Sequence, residues 1–340
     1  MKKNHLYIQH ENRFLESGQF EHVMAIFINP ANRAEGVIRC IISREGSVDM
    51  AGLVDRSVLH KVKSAPGLEQ FNIEEELRIE GQERVINTLT SEGWTFIGLE
   101  DPDLITDPDT GLLHIYFTIA FVNQDKTEYK TYLGHAKGAD IDSLVMTMPV
   151  LSPTKKISGI VKELSLAPVN QSGVRLNLVE SNKKIDGRNY SVIQTVVVKD
   201  LDKDWEFGDV IFNPLRDGYD WCRGHASPGQ ILPETFINVG QDRRVCILNG
   251  READVVGANG TKLGVFSVGL CIYNFEKGKI EWVSKTPLIK DTEAKNITFA
   301  SQFIQSNTNE GRLYAHVDDS FIRAYTLYAD QIKKVIESKI

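Results

Sequence analysis

Acidic residues at the ends of apolar stretches are the first candidates for chemistry in this sequence of 340 residues. Glu100 and Asp101 close one such stretch, and Pro102 then stiffens the chain. Carboxyl groups act as general acids or bases when they are held beside a substrate. The alternative is that both are ordinary turn residues, since Asp is common in turns, and their spacing alone leaves both interpretations open.

Two glutamates and two histidines occupy similar positions. Glu180 and Glu252 each follow an apolar strand, where an acid could face a central channel, although a solvated surface position is the alternative for each. His225 and His316 lie at strand ends. A single histidine at such a place is commonly a hydrogen-bonded structural residue, and contact with a substrate hydroxyl is the second interpretation.

The elements that must position these residues are almost all strands. Short apolar runs are separated by Asp-Gly, Asn-Gly, Lys-Gly, Glu-Gly and Ser-Gly pairs, which is typical of an all-β sandwich, barrel or propeller. Residues 328–340 have apolar residues at helical spacing and predict a C-terminal helix. Residues 74–89 are ambiguous, because Gly81 interrupts a helical pattern that could also be loop and strand.

A loose repeat of two strands, a polar turn and a charged hairpin recurs along the chain. Its units lie near residues 22–60, 92–145, 158–200, 207–255 and 262–325. No Pro-, Gly- or Ser-rich linker divides the sequence. We therefore expect residues 1–340 to form a single all-β domain, a five-bladed β-propeller with a short C-terminal helix, in which the innermost strands face a central channel.

The charge, the cysteine spacing and the apolar stretches of the sequence argue against several classes of protein. The formal net charge of −7 gives no electrostatic footprint for nucleic acid. The four cysteines form no CxxC pair, which argues against a zinc site. Three of them lie in apolar strand-like runs, so we expect buried free thiols, with a disulfide as the alternative. We expect no metal and no cofactor. No stretch is apolar enough to cross a membrane, and the basic start lacks the apolar segment of a signal peptide. A cytoplasmic location is the default, and a leader trimmed from this sequence stays open.

Five segments, in order along the chain, resemble the five-bladed β-propeller family of the β-mannoside phosphorylases and β-mannosidases. GLEDPDL followed by LHIYFT resembles the family's GxEDPR segment. FINP with VIRCIISRE, the segment that begins at Lys162, RGHASPGQIL and LYAHVDDSFIR resemble four further family segments. The likeness extends over nearly the whole chain and implies the fold more strongly than the activity.

The resemblance implies roles for particular residues in cleaving a glycosidic bond. Asp101 would be the general acid, and the base candidates are Glu180, Glu252 and, less directly, Glu234. An inverting hydrolase holds its acid and base about 6.5–9.5 Å apart. The substrate-binding candidates are Asn29, Arg44, Glu100, Arg223, His225, His316 and Asp318. Asp319 competes with Asp318, because HVDD permits a slip of one residue. We expect these groups to converge near one end of the channel.

The departures from the family favour water over phosphate as the nucleophile. Asp103 stands where the family has an arginine, and Asn249 stands where it has a histidine. Basic groups hold phosphate, so their loss predicts an inverting hydrolase of β-mannosides or related oligosaccharides. A phosphorylase is the alternative, with Arg223, Lys162 or Arg175 as compensating cations. A non-catalytic carbohydrate-binding propeller and a protein-binding propeller are further alternatives, and the oligomeric state stays open.

Overall fold

The computed structural model describes residues 6–64, 70–153, 160–185, 188–203, 205–258 and 260–337. Strands dominate these residues, so the predicted all-β class is confirmed. In chain order the strands are β1 (Tyr7–Gln9), β2 (His22–Ile28), β3 (Glu35–Glu45), β4 (Val54–Ser64), β5 (Phe71–Glu76), β6 (Trp94–Thr106), β7 (Leu113–Asn123), β8 (Tyr129–Gly138), β9 (Val145–Met146), β10 (Val161–Ser165), β11 (Arg175–Ile185), β12 (Arg188–Val198), β13 (Glu206–Phe212), β14 (His225–Ile231), β15 (Arg243–Arg251), β16 (Val255–Gly257), β17 (Gly260–Lys262), β18 (Phe266–Asn274), β19 (Lys279–Val283), β20 (Thr298–Gln305), β21 (Glu310–Val317) and β22 (Phe321–Tyr328).

Helices are short. They are α1 (Gln82–Leu89), α2 (Pro214–Asp217) and α3 (Ala329–Glu337), with a 3₁₀ turn at Asp220–Cys222. The predicted C-terminal helix is confirmed as α3, and residues 338–340 lie outside the described part of the chain. The ambiguous stretch 74–89 divides between the end of β5 and α1. Gly81 separates them in a left-handed conformation, with φ 77°, that glycine adopts without strain.

The strands pair into antiparallel groups of four. The first sheet (β2–β5) and the second sheet (β6–β9) join edge to edge through one parallel pair, Ser57 with Gly98. A side chain at Gly98 would collide with the Ser57 carbonyl, so glycine permits this close approach. The third sheet is β10–β13, the fourth is β14, β15, β18 and β19, and the fifth is β20–β22 with β1 added at its outer edge. The hairpin β16–β17 projects from the fourth sheet.

The first strands of the five sheets are neighbours in a ring. β2 contacts β6, β6 contacts β10, β10 contacts β14, β14 contacts β20, and β20 contacts β2. A separate apolar core fills each space between successive sheets. Phe27 packs with Leu99 and Phe117 between the first and second sheets, and Val23 packs with Ile322 between the first and the fifth. Each sheet therefore buries both faces against its neighbours.

The predicted units begin close to the first strands of the first three sheets, whereas the starts of the last two units are misplaced. The boundary predicted at residue 207 falls in β13, which pairs as the outer strand of the third sheet, and the fourth sheet begins at β14. The boundary predicted at residue 262 falls in the β16–β17 hairpin. An apolar edge strand and an inserted hairpin have the same local sequence signature as the start of a new unit, so the pattern alone was misleading.

The four cysteines are free and buried, as predicted. Cys246 and Cys271 are paired across β15 and β18 without a disulfide. Within the described residues, no cluster of three or more His, Cys, Asp or Glu side chains is placed to hold a metal ion. None of the helices in that part of the chain is long and apolar enough to span a membrane.

Candidate active site

The centre of the ring is shaped by an irregularity that every first strand shares. The pairing of each first strand with the second strand of its sheet shifts register near the middle, between Met24 and Phe27 in β2 and at corresponding places in the other four. Three of these bulges contain a residue other than glycine at positive φ: Ala25 at 50°, Asp101 at 48° and Glu163 at 52°. A bulge redirects side chains that a regular strand would point to alternate faces.

A cavity of about 360 Å³ lies where these strands meet. Its wall combines charged groups with apolar side chains. The carboxyl groups on the wall are those of Asp55, Glu100, Asp101, Glu163 and Asp319, and the basic groups are those of Arg39, Lys162, Arg251, His225 and His316. Phe266 and Phe299 are the aromatic rings on the wall that lie against these histidines. A concave site with a few convergent polar groups is typical of small-ligand binding.

Arg39 links the two acids of the β6 bulge. Its Nη2 donates to Glu100 Oε1 at 2.7 Å, and its Nη1 donates to Asp101 Oδ1 at 3.1 Å. The guanidinium is buried, with 6% of the residue exposed. Burial raises the pKa of Glu100 to about 7, with Arg39 opposing this shift and Asp101 adding to it. Both neighbouring acids can contact one guanidinium because the bulge breaks the strand's alternation.

Glu163, on β10, contacts the same centre from the neighbouring sheet. Its carboxyl group is hydrogen-bonded to Asp101. Burial, together with the charge of Asp101, raises the pKa of Glu163 well above its ordinary value. Burial and Asp101 do the same to Asp103. A smaller cavity of about 30 Å³ is lined by Asp101, Asp103 and Glu163 together with Ser301 and His316.

Glu180 forms a buried cluster behind His225. Its Oε2 lies 3.1 Å from His225 Nε2 and also accepts a hydrogen bond from Ser227, while its Oε1 accepts from Ser191 at 2.9 Å. Lys162 Nζ lies 4.0 Å from Glu180 Oε1. Burial alone would raise the pKa of Glu180, but His225 and Lys162 outweigh it and hold this pKa well below its ordinary value. Burial lowers the pKa of His225, although Glu180 opposes the shift.

The fifth sheet contributes an ionised carboxylate. Asp319 Oδ1 lies 2.9 Å from His316 Nδ1. Burial would raise the pKa of Asp319, but His316, followed by Arg44 and Arg39, outweighs it and lowers this pKa. Arg44 holds Asp55 through two hydrogen bonds of 2.7 Å and donates to the Asp319 backbone carbonyl at 3.1 Å. Arg44 therefore braces two acids on the cavity wall.

Two connecting segments contribute to the cavity wall and are bonded to each other. They are the loop at residues 46–53 from the first sheet and residues 252–258 and 260–265 from the fourth. Backbone bonds join them: Ala51 N donates to Thr261 O at 3.1 Å, and Leu263 N donates to Asp49 O at 2.9 Å. Met50 and Leu263 present apolar surface to the cavity. Two sheets that are not neighbours in the ring are thus joined beside the cavity.

The structure brings together only part of the predicted site. Asp101, Glu100, His225 and His316 line the cavity. Glu180 lies one layer behind His225, and Arg44 lies behind Asp55.

Four predicted residues lie away from the cavity wall, so the expected convergence of all the predicted groups does not occur. Asn29 is bound locally, to Glu35 and Ala31. Arg223 has a half-exposed side chain beside Asp220. Glu252 is exposed and lines an outer groove.

Asp318 is the fourth, and it accepts hydrogen bonds from the backbone N–H groups of Lys295, Asn296 and Ile297. The alternative alignment, Asp319, is the one that reaches the cavity. Glu234, the less direct candidate for the base, pairs with Arg244 near the surface.

Sequence reasoning missed Arg39 and Glu163. Arg39 had a detectable signal, because it is a lone charge inside the apolar run VIRCII, and a buried charge requires partners. Glu163 follows Lys162 at the start of a matched segment, but nothing in the local pattern indicates a bulge there. Its position beside Asp101 depends on the packing of β6 next to β10.

No protein-family model matches the chain, and no curated protein sequence matches it significantly. Several solved structures are similar to it in fold. A β-1,2-mannobiose phosphorylase from Listeria innocua aligns over 98% of this chain and 99% of its own, with a TM-score of 0.67 and 12% identity. A glycosyl hydrolase from Bacteroides ovatus aligns over 90% of this chain and 84% of its own, with a TM-score of 0.60 and 15% identity.

A GDP-Man-dependent mannosyltransferase from Leishmania mexicana aligns over 90% of this chain and 85% of its own, with a TM-score of 0.54 and 15% identity. At such identities the likeness establishes the fold. The chain therefore has the fold that these carbohydrate-active enzymes share, and the resemblance drawn from the sequence is confirmed at that level. Because this fold carries a phosphorylase, a hydrolase and a transferase, the activity has to be argued from the site.

Proposed function

We propose that the chain is a glycoside-cleaving enzyme, an inverting hydrolase of β-mannosides or related oligosaccharides, built as one five-bladed β-propeller domain. The five sheets would be the blades, since their first strands contact one another in a ring and each pair of neighbours encloses a core. The cavity would be the sugar site at the propeller axis. The substrate would be an oligosaccharide.

One observation carries this proposal. Carboxyl groups from separate sheets face a single cavity. Asp101 and Glu163 come from the second and third sheets, whereas Asp319 follows β21 in the fifth sheet, across the ring. Glycoside hydrolysis requires a proton donor on one side of the bond and an ionised carboxylate on the other. The lowered pKa of Asp319 and the raised pKa of Glu163 match that requirement.

The reaction then follows from the groups on the wall. Asp101 donates a proton to the glycosidic oxygen, directly or through a sugar hydroxyl, as the bond from that oxygen to the anomeric carbon breaks. Asp319 accepts a proton from a water molecule, whose oxygen bonds to the same carbon from the opposite face. Glu180 and Glu252 were the bases expected from the sequence. In this mechanism Glu180 instead orients His225 toward the sugar, and Glu252 has no role because it is exposed.

Hydrolysis is favoured because the permanent cations of the cavity are already neutralised. Arg39 is paired with Glu100 and Asp101, and Arg251 lies 3.0 Å from Asp254. A phosphate would have to compete with these carboxylates. Phosphorolysis is the second candidate. The Nε groups of Arg39 and Arg251 are buried without a hydrogen-bond partner in the described structure, so each could donate to a bound oxyanion or to a sugar hydroxyl.

The experiment is incubation with a panel of β-linked manno-oligosaccharides, with and without inorganic phosphate, assayed for free sugar and sugar phosphate. We expect free sugar at a rate independent of phosphate. The matched control is Arg223→Ala, which removes a cation outside the cavity and should retain full activity. Sugar phosphate formed only with phosphate present would establish the second candidate. Binding of the sugars without any product would instead indicate a carbohydrate-binding propeller.

A further inference from the structure

We infer that Asp101 and Glu163 act as one proton-sharing pair, in which Glu163 holds the proton that Asp101 delivers to the leaving group. This inference rests on the proposed function and adds a residue to it. It starts from the backbone. Both residues lie at bulges of first strands, and both have left-handed φ, 48° and 52°. Residues other than glycine rarely adopt this conformation, and strain of this kind is concentrated at functional sites.

The contact between the two side chains requires a proton. Two ionised carboxylates repel each other and have no hydrogen to share, so a hydrogen bond between them means that one is protonated. Arg39 donates to Asp101, and no such bond from this guanidinium reaches Glu163 in the described structure. The carboxyl without the guanidinium is the better place for the proton, which assigns it to Glu163. The raised pKa of Glu163 agrees with this assignment.

The surrounding charges do not reverse the assignment. The titratable groups that face or flank Glu163 are Asp101 and Asp103 on β6, Lys162 on its own strand, Glu180 on β11, His225 on β14 and His316 on β21. Lys162 is the only permanent cation among these six, and it also attracts Glu180, whose Oε1 lies 4.0 Å away. Burial and Asp101 together outweigh Lys162 at Glu163.

The proton balance of the step is simple. The proton of Glu163 moves along the hydrogen bond to Asp101, and Asp101 transfers it to the glycosidic oxygen while the bond from that oxygen to the anomeric carbon breaks. Both carboxyl groups are then ionised, Asp101 beside Arg39 and Glu163 beside Lys162. The proton that Asp319 takes from the attacking water returns through solvent to Glu163. The sum is one glycoside and one water converted to two sugars.

The test compares Glu163→Gln with Glu252→Gln, the same change at an exposed site outside the cavity. Two β-mannosides are used, one with a sugar leaving group and one with 2,4-dinitrophenolate, which departs without a proton. We expect Glu163→Gln to lower kcat on the first about 100-fold or more and to change the second little. The alkaline limb of the pH profile of kcat/KM reports the pKa of the essential acid. This apparent pKa should differ between Glu163→Gln and the wild type. Glu252→Gln should match the wild type throughout.

Equal losses on both substrates would overturn the inference, because they indicate a structural role, and so would full activity with an unchanged pH profile. Infrared difference spectroscopy at neutral pH tests the proton without any substrate: the wild type minus Glu163→Gln spectrum should contain a carboxylic acid band that the wild type minus Glu252→Gln spectrum lacks, because bands from Asp103 and Glu100 are common to all three proteins and cancel. A wild type that cleaves no glycoside but shows this band would refute the proposed function and leave the protonation of Glu163 intact. If Glu163→Gln does not fold, Glu163→Asp retains the carboxyl and should shift the alkaline limb.

Discussion

Two pairs of adjacent acids, Glu100–Asp101 and Asp318–Asp319, are similar in sequence and differ in what their backbones do with them. Both pairs lie at strand ends or bulges, and both include left-handed residues: Asp101 at φ 48°, Asp318 at 49° and Asp319 at 48°. At the first pair both carboxyls face inward and meet Arg39. At the second, Asp319 faces the cavity while Asp318 turns away and accepts three backbone N–H bonds.

This difference shows that the residue type alone does not reveal whether an acidic side chain faces a substrate site or stabilises the fold. In the first pair the β6 bulge places neighbouring side chains on one side. In the second pair, a turn between β21 and β22 points the two side chains in different directions, and the Asp318 carboxylate binds the backbone of the segment before β20. Acids that bind backbone amides stabilise the fold, whereas acids that face a cavity remain available for substrate.

The largest expected effect is at Asp101. Asp101→Asn keeps the shape and can still accept from Arg39, but it cannot transfer a proton. We expect kcat on an unactivated β-mannoside to fall by about 10²–10⁴-fold, with the melting temperature and sugar affinity nearly unchanged. Steady-state kinetics and calorimetry measure these quantities. Near-full activity in this variant would remove Asp101 from the mechanism.

The second acidic pair gives a matched comparison within two residues. Asp319→Asn should lower kcat by roughly 10²-fold, because the amide cannot accept a proton from water. Asp318→Asn should instead lower stability by about 1–3 kcal/mol, because it weakens bonds from backbone N–H groups to a charged acceptor, and it should retain most of its turnover. Denaturant unfolding measures the stability of both variants, and steady-state kinetics measures their turnover. The reverse pattern would show that the sugar-contacting acid is Asp318.

The smallest effect concerns Asp103, the third acid near the β6 bulge. Its pKa is raised well above the ordinary value by burial and Asp101. For such an acid, stability is greatest below the unfolded-state pKa of about 3.9 and falls as pH rises through the folded-state value. As pH rises from 4 to 8, the free energy of unfolding of Asp103→Asn should therefore increase by roughly 1 kcal/mol relative to that of the wild type. Unfolding measured across this range checks it, with exposed Asp109→Asn as the control.

The strand content and the C-terminal helix were predictable because they depend on local patterns. Apolar alternation with Gly-containing turns recovers most strands, and the spacing of Ile332 and Ile336 predicts α3, where both are buried. The boundaries of the fourth and fifth sheets were not predictable. Pairing partners decide them, and β13 joins the third sheet through Gln194 and Val210 although its sequence resembles a first strand.

The site was predictable only where a motif and the backbone agree. Asp101 and His225 each lie in a matched segment and also line the cavity, so both remain predicted site residues. Asp318 was chosen over Asp319 because sequence does not reveal which side of a turn an acid takes. Asn29 failed for a related reason, since its amide binds Glu35 in its own turn. Residues from separate sheets converge because of how the sheets pack. The position of Glu163 beside Asp101 is therefore apparent only from the structure.

The position of β1 has a consequence for the order of assembly. Tyr7 pairs with Leu327, so β1, the first of the described strands, completes a sheet whose other strands are the last three of the described strands. During synthesis β1 has no partner until β22 has emerged, and contacts of such long sequence separation form slowly. Pairing between the first and last described strands thus completes the fifth sheet, and until that pairing forms β22 presents an open edge to other chains.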